Sequence, residues 1–408
     1  MKRRRKRKLK NSFKYIIVFL LLIISFSTYK IYFNKPTNEI ETNTKTNTNK
    51  ENKVNKPVKD EVYKLKLLAT GDGLIHNMIN VVYGNNGNYD FSPALSYVKD
   101  IVKQYDIAYY NQETPTGDNS IPYSGYPRFY TPSAYPSAMW NIGFNTVSLA
   151  SNHSFDRGEQ GVLNTLKYFK TTDYLYSGMN ESDEATKNYQ IKEKNNITYT
   201  LLSYTTIDNG LSTPQNKKYL VNKFDKERVK NDINAVRDSV DVLIVAMHWG
   251  IEYIDSPNAE ELEIAQFLAD LGVDIVIGNH PHILQPITKI NDTIVMYSLG
   301  NFISNQYGTN DYNKLIGFMA TLDITKTIKP NKETTITFDN LGGELIFTKY
   351  DGNPISTAVH YNHKVIPFSI MKDDTYLKDY EKYYNKYTTL LKSMGCDLNI
   401  TPLPTKEA

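Results

Sequence analysis

At 408 residues the chain is long enough for one large domain or two with an ample core. Its formal charge of +3 is concentrated, because eight cations fall in Lys2–Lys10 and everything from Asn11 onward carries −5. That acidic body excludes a basic nucleic-acid face, so no nucleic-acid partner is expected. The single cysteine, Cys396, excludes both an internal disulfide framework and a thiolate metal site.

Residues 1–12 form a basic tail, and 13–33 read as a transmembrane signal anchor. Tyr15–Tyr29 is apolar apart from scattered Ser and Thr, and with Phe13 and Ile31–Phe33 added it nears the roughly 20 residues that cross a bilayer. Lys14 and Lys30 would snorkel at its ends. The positive-inside rule places the N-terminus in the cytoplasm and the rest of the chain outside, as a single-pass protein of the cell membrane. A cleaved signal peptide is the alternative, but the segment lacks a clear small-x-small cleavage site and Tyr29-Lys30-Ile31-Tyr32 stands where one would be expected. Residues 34–61 are rich in Asn, Thr, Lys and Glu and form a disordered tether. The globular domain is expected over 62–368, with a C-terminal helix and tail over 369–408.

The body alternates strands and helices, the pattern of an α/β protein. Lys64–Thr70 reads as a strand ending at Gly71-Asp72, and Ser92–Tyr105 as a helix with Pro93 at its first position. Asp106–Tyr110 is a strand ending at Asn111-Gln112-Glu113, and Tyr135–Ile142 a helix. Thr146–Ala150 is a strand ending at Ser151-Asn152-His153, followed by helix Glu159–Lys170. Asn196–Tyr204 reads less clearly as a strand. Asp225–Ser239 is a charged helix before the strand Asp241–Met247, which ends at His248. Pro257–Leu271 is a helix before Asp274–Ile277, which ends at Gly278-Asn279-His280-Pro281-His282, and Thr293–Ser298 ends near Asn301. Beyond Asn301 the chain is β-rich (Phe318–Ile324, Glu333–Phe338, Glu344–Tyr350, Ile355–Tyr361) and closes with a polar helix, Asp374–Lys392.

Five strand-end loops thus supply Asp72; Asn111 and Glu113; Asn152, His153 and Asp156; His248; His280 and His282. Four of the seven histidines fall on them, His76 follows Asp72 closely, and only His360 and His363 lie elsewhere. Ligands in α/β proteins bind beyond the carboxyl ends of strands. Taken singly, Asp72 reads as a turn residue, Glu113 as a solvated loop carboxylate, and His248 beside Trp249 as a packed interior histidine. His76 reads equally as support for the site or as structure. Two imidazoles flanking Pro281 gain nothing obvious from packing. Imidazole, carboxylate and amide oxygen without thiolate suit Mn, Fe or Zn. The donors outnumber the needs of one tetrahedral ion, so two divalent metal ions are expected, about 4 Å apart and able to clamp a phosphoryl group.

In sequence order, Gly71-Asp72, Asn111-Gln112-Glu113-Thr114, Ser151-Asn152-His153-Ser154-Phe155-Asp156-Arg157-Gly158, His248-Trp249-Gly250-Ile251-Glu252-Tyr253, Gly278-Asn279-His280-Pro281-His282 and Tyr297-Ser298-Leu299-Gly300-Asn301-Phe302 resemble the motifs of the CapA family, which is linked to poly-γ-glutamate capsule synthesis. Gly125-Tyr126-Pro127-Arg128-Phe129 also looks like a family segment, and the resemblance spans about residues 65–305. It implies a calcineurin-like metallophosphoesterase-type fold, a two-sheet α/β sandwich with helices on its outer faces. It also implies Asp72, Glu113, Asn152, His248, His280 and His282 as metal ligands, and His153 with Asp156 as the general-acid pair or a further ligand. Arg128 and Asn111 would meet an anionic substrate. Two departures from the wider superfamily stand out: Gly73-Leu74 replaces the second half of Asp-x-His, and Asn111-Gln112-Glu113 replaces Gly-Asp-x-x-Asp.

Two functions follow as expectations. One is a membrane-anchored metal-dependent hydrolase acting on a phosphoester or a γ-glutamyl amide during capsule or poly-γ-glutamate synthesis or export. The other is a non-catalytic, metal-stabilised assembly component that binds the anionic polymer within a membrane-bound synthase complex.

Overall fold

The computed structural model describes residues 59–405 apart from Asn86, 307–311 and 353–359. The expected membrane span at 13–33, nearly all of the tether and most of the strand expected at Ile355–Tyr361 lie outside the described residues. Among the described residues no helix is long and apolar enough to cross a membrane.

In chain order the strands that matter here are β1 Glu61–Gly73, β2 Ile107–Gln112, β3 Thr146–Ser148, β4 Leu175–Ser177, β5 Ile191–Lys194, β6 Ile197–Thr205, β7 Val242–His248, β8 Ile275–Asn279, β9 Ile287–Ile290, β10 Thr293–Met296, β11 Asn301–Ile303, β12 Ile316–Ile328, β13 Thr334–Asp351, β14 Tyr361–Pro367 and β15 Asn399–Ile400. They form two large sheets. The first runs β14-β13-β12-β1-β2-β3-β4, with β11 beside β1 and β15 beside β13; the second runs β9-β10-β8-β7-β6-β5. β1 to β4 are mutually parallel, as are β6, β7, β8 and β10, so each sheet brings several strand C-termini to one end.

Strand alternation sorts the side chains into three cores. Leu65, Leu67 and Ala69 of β1 meet Ile244 and Ala246 of β7 and Ile277 of β8 between the sheets. Leu68, one residue out of phase, faces the helices α1 Asn77–Tyr83, α2 Lys99–Val102, α3 Ala134–Ile142 and α4 Gly158–Phe169 through Ile79, Val102, Met139 and Val162. On the far side, Leu243 and Val245 pack against Ile233 of α5 Lys226–Val236 and Ile264 of α6 Ala259–Asp270. The result is the expected two-sheet α/β sandwich with helices outside. The last helix, α7 Tyr380–Leu391, differs: its Tyr380, Tyr387 and Leu391 join the inter-sheet core.

Three elements depart from expectation. The helix expected over Ser92–Tyr105 is broken into a 3₁₀ turn, Ser92–Leu95, and α2, where the Ser96 hydroxyl donates back to Pro93 O at 3.0 Å and competes with helix continuation. The two strands expected at Glu333–Phe338 and Glu344–Tyr350 are one, β13, which continues through the intervening segment with a register shift against β12 between its Asp339 and Gly342 pairings. The helix expected over Asp374–Lys392 begins only at Tyr380, since Asp379 adopts a left-handed φ of 58°.

Candidate metal centre

Register assembles the site. Asp72 on β1 pairs with Asn111 on β2 and with Asn301 on β11, and His248 on β7 pairs with Asn279 on β8. The β1–β2 register shifts between Ala69 and Asp72, an irregularity that re-aims Asp72. Gly71 makes this geometry possible, because a Cβ there would lie 1.8 Å from Gly300 O, while Asp72 N donates to that carbonyl at 2.9 Å. After β8 the chain places two histidines at positive φ, His280 at 100° and His282 at 59°, on either side of Pro281. A non-glycine residue held there costs about 1–3 kcal/mol, strain that the surrounding contacts must hold. Tyr253 N clasps the turn through Pro281 O at 2.8 Å.

These loops bring Glu113, His280 and His282 together, with one donor atom of each within 4.8 Å of the others, all buried. His282 Nδ1 lies 3.1 Å from both Asp72 Oδ2 and Asn301 Oδ1, so it donates there and turns Nε2 toward Glu113 Oε1 at 3.6 Å. A carboxylate behind an imidazole in this way orients it as a ligand. Asp72 is fully occupied, as Oδ1 accepts from Asn111 Nδ2 at 2.8 Å and Oδ2 accepts from His282 and from His280 N. His248 extends the cluster, with Nε2 3.0 Å from Asn152 Oδ1 and 3.9 Å from Glu113 Oε1, and its ring 4.8 Å from that of His280. All six side chains expected to be ligands therefore belong to one connected group.

Burial governs the electrostatics. It holds His248 well below the usual histidine value and pushes His280 down to about 3, each reinforced by neighbouring imidazoles, so both are neutral donors at neutral pH. For His282 burial acts the same way but is outweighed by Glu113 and Asp72, which raise it to about 9. Burial raises Glu113, and the Glu113–His282 pair holds a proton that we place on His282, flanked by two carboxylates.

His153 stands beside this group on its own loop. Its Nδ1 is 2.8 Å from Asp156 Oδ2, which also accepts from Phe129 N at 2.7 Å. Ser151 Oγ donates to Glu113 O at 2.7 Å and accepts from His153 N at 3.1 Å, fastening the two loops together. Arg128 is exposed, its guanidinium has no partner among the described residues, and it adjoins Phe129, whose ring lies 4.6 Å from that of His153.

The residues fit a divalent cation. Both oxygens of Glu113, a residue with no exposed surface, lack a hydrogen-bond partner, as do Asn111 Oδ1 and His280 Nδ1. A buried carboxylate whose oxygens accept no hydrogen bond remains costly even with the His282 ring 3.6 Å away, and a cation bound to those oxygens removes that cost. The donor set of imidazole, carboxylate and amide oxygen matches Mn, Fe or Zn.

Two participants were not singled out by sequence. Asn301 was visible only as the end of a motif; its role appears because the chain crosses from β10 to the first sheet and sets it beside Asp72. Asn209 lies in the loop after β6 without any pattern to mark it, yet it receives Asn152 Nδ2 at 3.2 Å and its own Nδ2 lies 3.2 Å from His153 Nδ1.

Residues 66–306 match the family described as bacterial capsule synthesis protein PGA_cap. The PGA biosynthesis protein CapA of Bacillus subtilis (strain 168) is 33% identical over 169 residues, covering 41% of this chain and 44% of that protein. The capsule biosynthesis protein CapA of Bacillus anthracis is 32% identical over 178 residues, covering 41% and 42%. The matched region thus spans less than half the length of either relative. Among solved structures, the NAD nucleotidase of Haemophilus influenzae is similar at 15% identity and a TM-score of 0.40, covering 85% of this chain and 65% of that one. A purple acid phosphatase from yellow lupin seeds is similar at 11% identity and a TM-score of 0.31, covering 86% and 58%. With more than half of its length matched, and with the quoted motifs gathered at one end of the two sheets, the chain belongs to the PGA_cap family of bacterial capsule synthesis proteins.

Proposed function

We propose that this protein is a divalent-metal-dependent hydrolase of a phosphoester or γ-glutamyl amide bond, acting in the synthesis or export of a capsule polymer such as poly-γ-glutamate. The observation that carries this reading is the buried Glu113 carboxylate, which accepts no hydrogen bond, beside His280 and His282, with the His153–Asp156 pair adjoining it. The names of the two Bacillus relatives supply the process. The basic tail and apolar segment at 13–33 support a membrane anchor with the domain outside, near a polymer synthase in the same membrane.

When bound, a divalent cation supplies Lewis-acid polarisation and lowers the pKa of water. Glu113, His280 and His282 would hold it, with Asp72 and Asn301 fixing the His282 ring; a second ion would draw on Asn111, Asn152 and His248. Asp156 orients His153 through Nδ1, leaving Nε2 to give a proton to a leaving group. Phe129 N–H holds Asp156 in place, and Arg128 supplies positive charge for an anionic substrate.

A non-catalytic scaffold is the second reading. It is supported by Leu74, which is 2% exposed and offers no donor where the wider superfamily's first motif has histidine. The test is turnover by the full chain loaded with Mn, Zn or Fe, on p-nitrophenyl phosphate mono- and diesters and on γ-glutamyl oligomers. We expect turnover that falls about a hundredfold or more in His153→Ala with bound metal retained. A metal-loaded protein that turns over none of these substrates would favour the scaffold.

A further inference from the structure

His76 belongs to neither the ligand group nor the His153–Asp156 pair, yet it is linked to that pair through Phe129. Its ring stands edge-on to Phe129, with centroids 5.3 Å apart, and Phe129 in turn meets His153 at 4.6 Å. His76 Nδ1 has two neighbours, Leu74 O at 3.1 Å and the backbone N–H of Asn305 at 3.2 Å. Only one can be served. A proton on Nδ1 would satisfy the carbonyl and strand the buried Asn305 N–H, which has no other acceptor among the described residues. Buried N–H groups are left unpaired more rarely than carbonyls, so Nδ1 accepts and the proton sits on Nε2. Nε2 makes no hydrogen bond among the described residues, and His76 is half-buried rather than sealed.

Asn305 is itself pinned. Its Oδ1 accepts from His360 Nδ1 at 2.8 Å and from His363 Nε2 at 2.7 Å, which uses both lone pairs. His360 stacks on Tyr350 with centroids 4.1 Å apart, and both histidines are buried. The two histidines that sequence places away from the strand-end loops therefore converge on the residue whose backbone sets the tautomer of His76.

We infer that His76 is a substrate-binding residue: its Nε2–H donates a neutral hydrogen bond to an oxyanion, phosphoryl or carboxylate, held beside the metal centre. His360 and His363 act as positioning residues through Asn305. Burial pushes His76 down to about 3, outweighing the raising effect of a hydrogen bond to Leu74 O and reinforced by His282 and His153, so the ring stays neutral whichever nitrogen carries the proton. This inference rests on the metal-centre reading for the location of the oxyanion, but not for the tautomer.

The test uses the full-length, zinc-loaded protein, titrated by calorimetry with inorganic phosphate in one arm and di-γ-glutamate in the other, with zinc content measured alongside. His76→Phe keeps the packing on Phe129 and removes the donor. It should weaken the oxyanion that the site recognises about tenfold without loss of zinc, as expected for a hydrogen bond to a charged group. His363→Phe should weaken the same ligand by a smaller factor. Weakening confined to the phosphate arm identifies a phosphoryl ligand, and weakening confined to the glutamyl arm a carboxylate. Unchanged affinity in both arms with zinc retained overturns the inference. Long-range ¹H–¹⁵N spectra of the imidazoles provide a readout that needs no ligand. A proton on His76 Nε2 that moves to Nδ1 or exchanges between them in His363→Phe supports the account, and a proton on Nδ1 in the unaltered protein overturns it. Absence of bound zinc would sink the metal-centre reading while leaving this spectroscopic result to decide the tautomer.

Discussion

Asp156 accepts two hydrogen bonds on one oxygen, from His153 Nδ1 and from Phe129 N, while its other oxygen is buried without a partner. It is therefore committed to holding one imidazole and one loop. Asp156→Asn keeps the shape but can present an N–H to His153, turning the ring to the wrong tautomer. We expect turnover to fall by about a hundredfold or more, comparable to loss of His153 itself, with metal content unchanged. Steady-state rates and metal analysis on the same preparation check this. This pairing was legible in sequence because the two residues lie three apart on a strand-end loop. Asn209 was not legible, because a loop amide has no periodicity and acquires meaning only when the fold sets it against Asn152 and His153. The positive φ values of His280 and His282 were hidden for a related reason: sequence shows an imidazole on each side of a proline, but not the direction in which the backbone turns.

Helix α6 shows how a distant element shapes the loop that follows His248. Asn258 and Glu261 form a capping box, with Glu261 N donating to Asn258 Oδ1 at 2.9 Å and Asn258 N to Glu261 Oε2 at 2.8 Å. The Glu261 carboxyl lies under Gly250, two residues past His248, and any Cβ at Gly250 would sit 2.6 Å from Oε1. Burial pushes Glu261 up to about 7 from 4.5. Between those values the folded protein keeps a proton that the unfolded chain has released, so stability falls as pH rises through this window and levels off above it. Thermal melts of the wild type should show that decline between pH 5 and 8, and Glu261→Gln should flatten it. On β8, Gly278 lets Trp249 Nε1 reach Tyr297 O at 2.9 Å, whereas a Cβ there would lie 1.9 Å from that carbonyl. Gly278→Ala should cost about 3 kcal/mol or more in urea unfolding, the range of overpacked cores and lost buried hydrogen bonds. The strands carrying these residues were legible because short apolar runs ended at polar turns. The break within Ser92–Tyr105 was not, since one serine hydroxyl decided it.

At the scale of the molecule, the candidate metal centre depends on two sheets whose parallel strands end together, and side chains of α7 join the core between them. Leu391 has no exposed surface, and Leu391→Ala should lower stability by about 2–5 kcal/mol in chemical denaturation. If α7 were only an appendage, that variant would unfold like the wild type. The sandwich itself could be anticipated from alternating strands and helices and from the family motifs. The place of α7 could not, because its tyrosine-rich sequence reads as a polar surface helix until the gap it fills is known. The same holds for His360 and His363, which sequence separates from the other histidines and the fold returns to them through Asn305.

All of these levels meet in Glu113, a buried carboxylate that the end of β2 delivers to His280, His282 and His248 and that accepts no hydrogen bond among the described residues. The most direct test is the divalent-metal stoichiometry of the purified full chain, measured by inductively coupled plasma mass spectrometry for the wild type and for Glu113→Gln. The account predicts at least one tightly held Mn, Fe or Zn per wild-type chain and its loss in a folded Glu113→Gln variant. A wild type free of metal after exposure to all three ions, or a Glu113→Gln variant that retains its full complement, would contradict it.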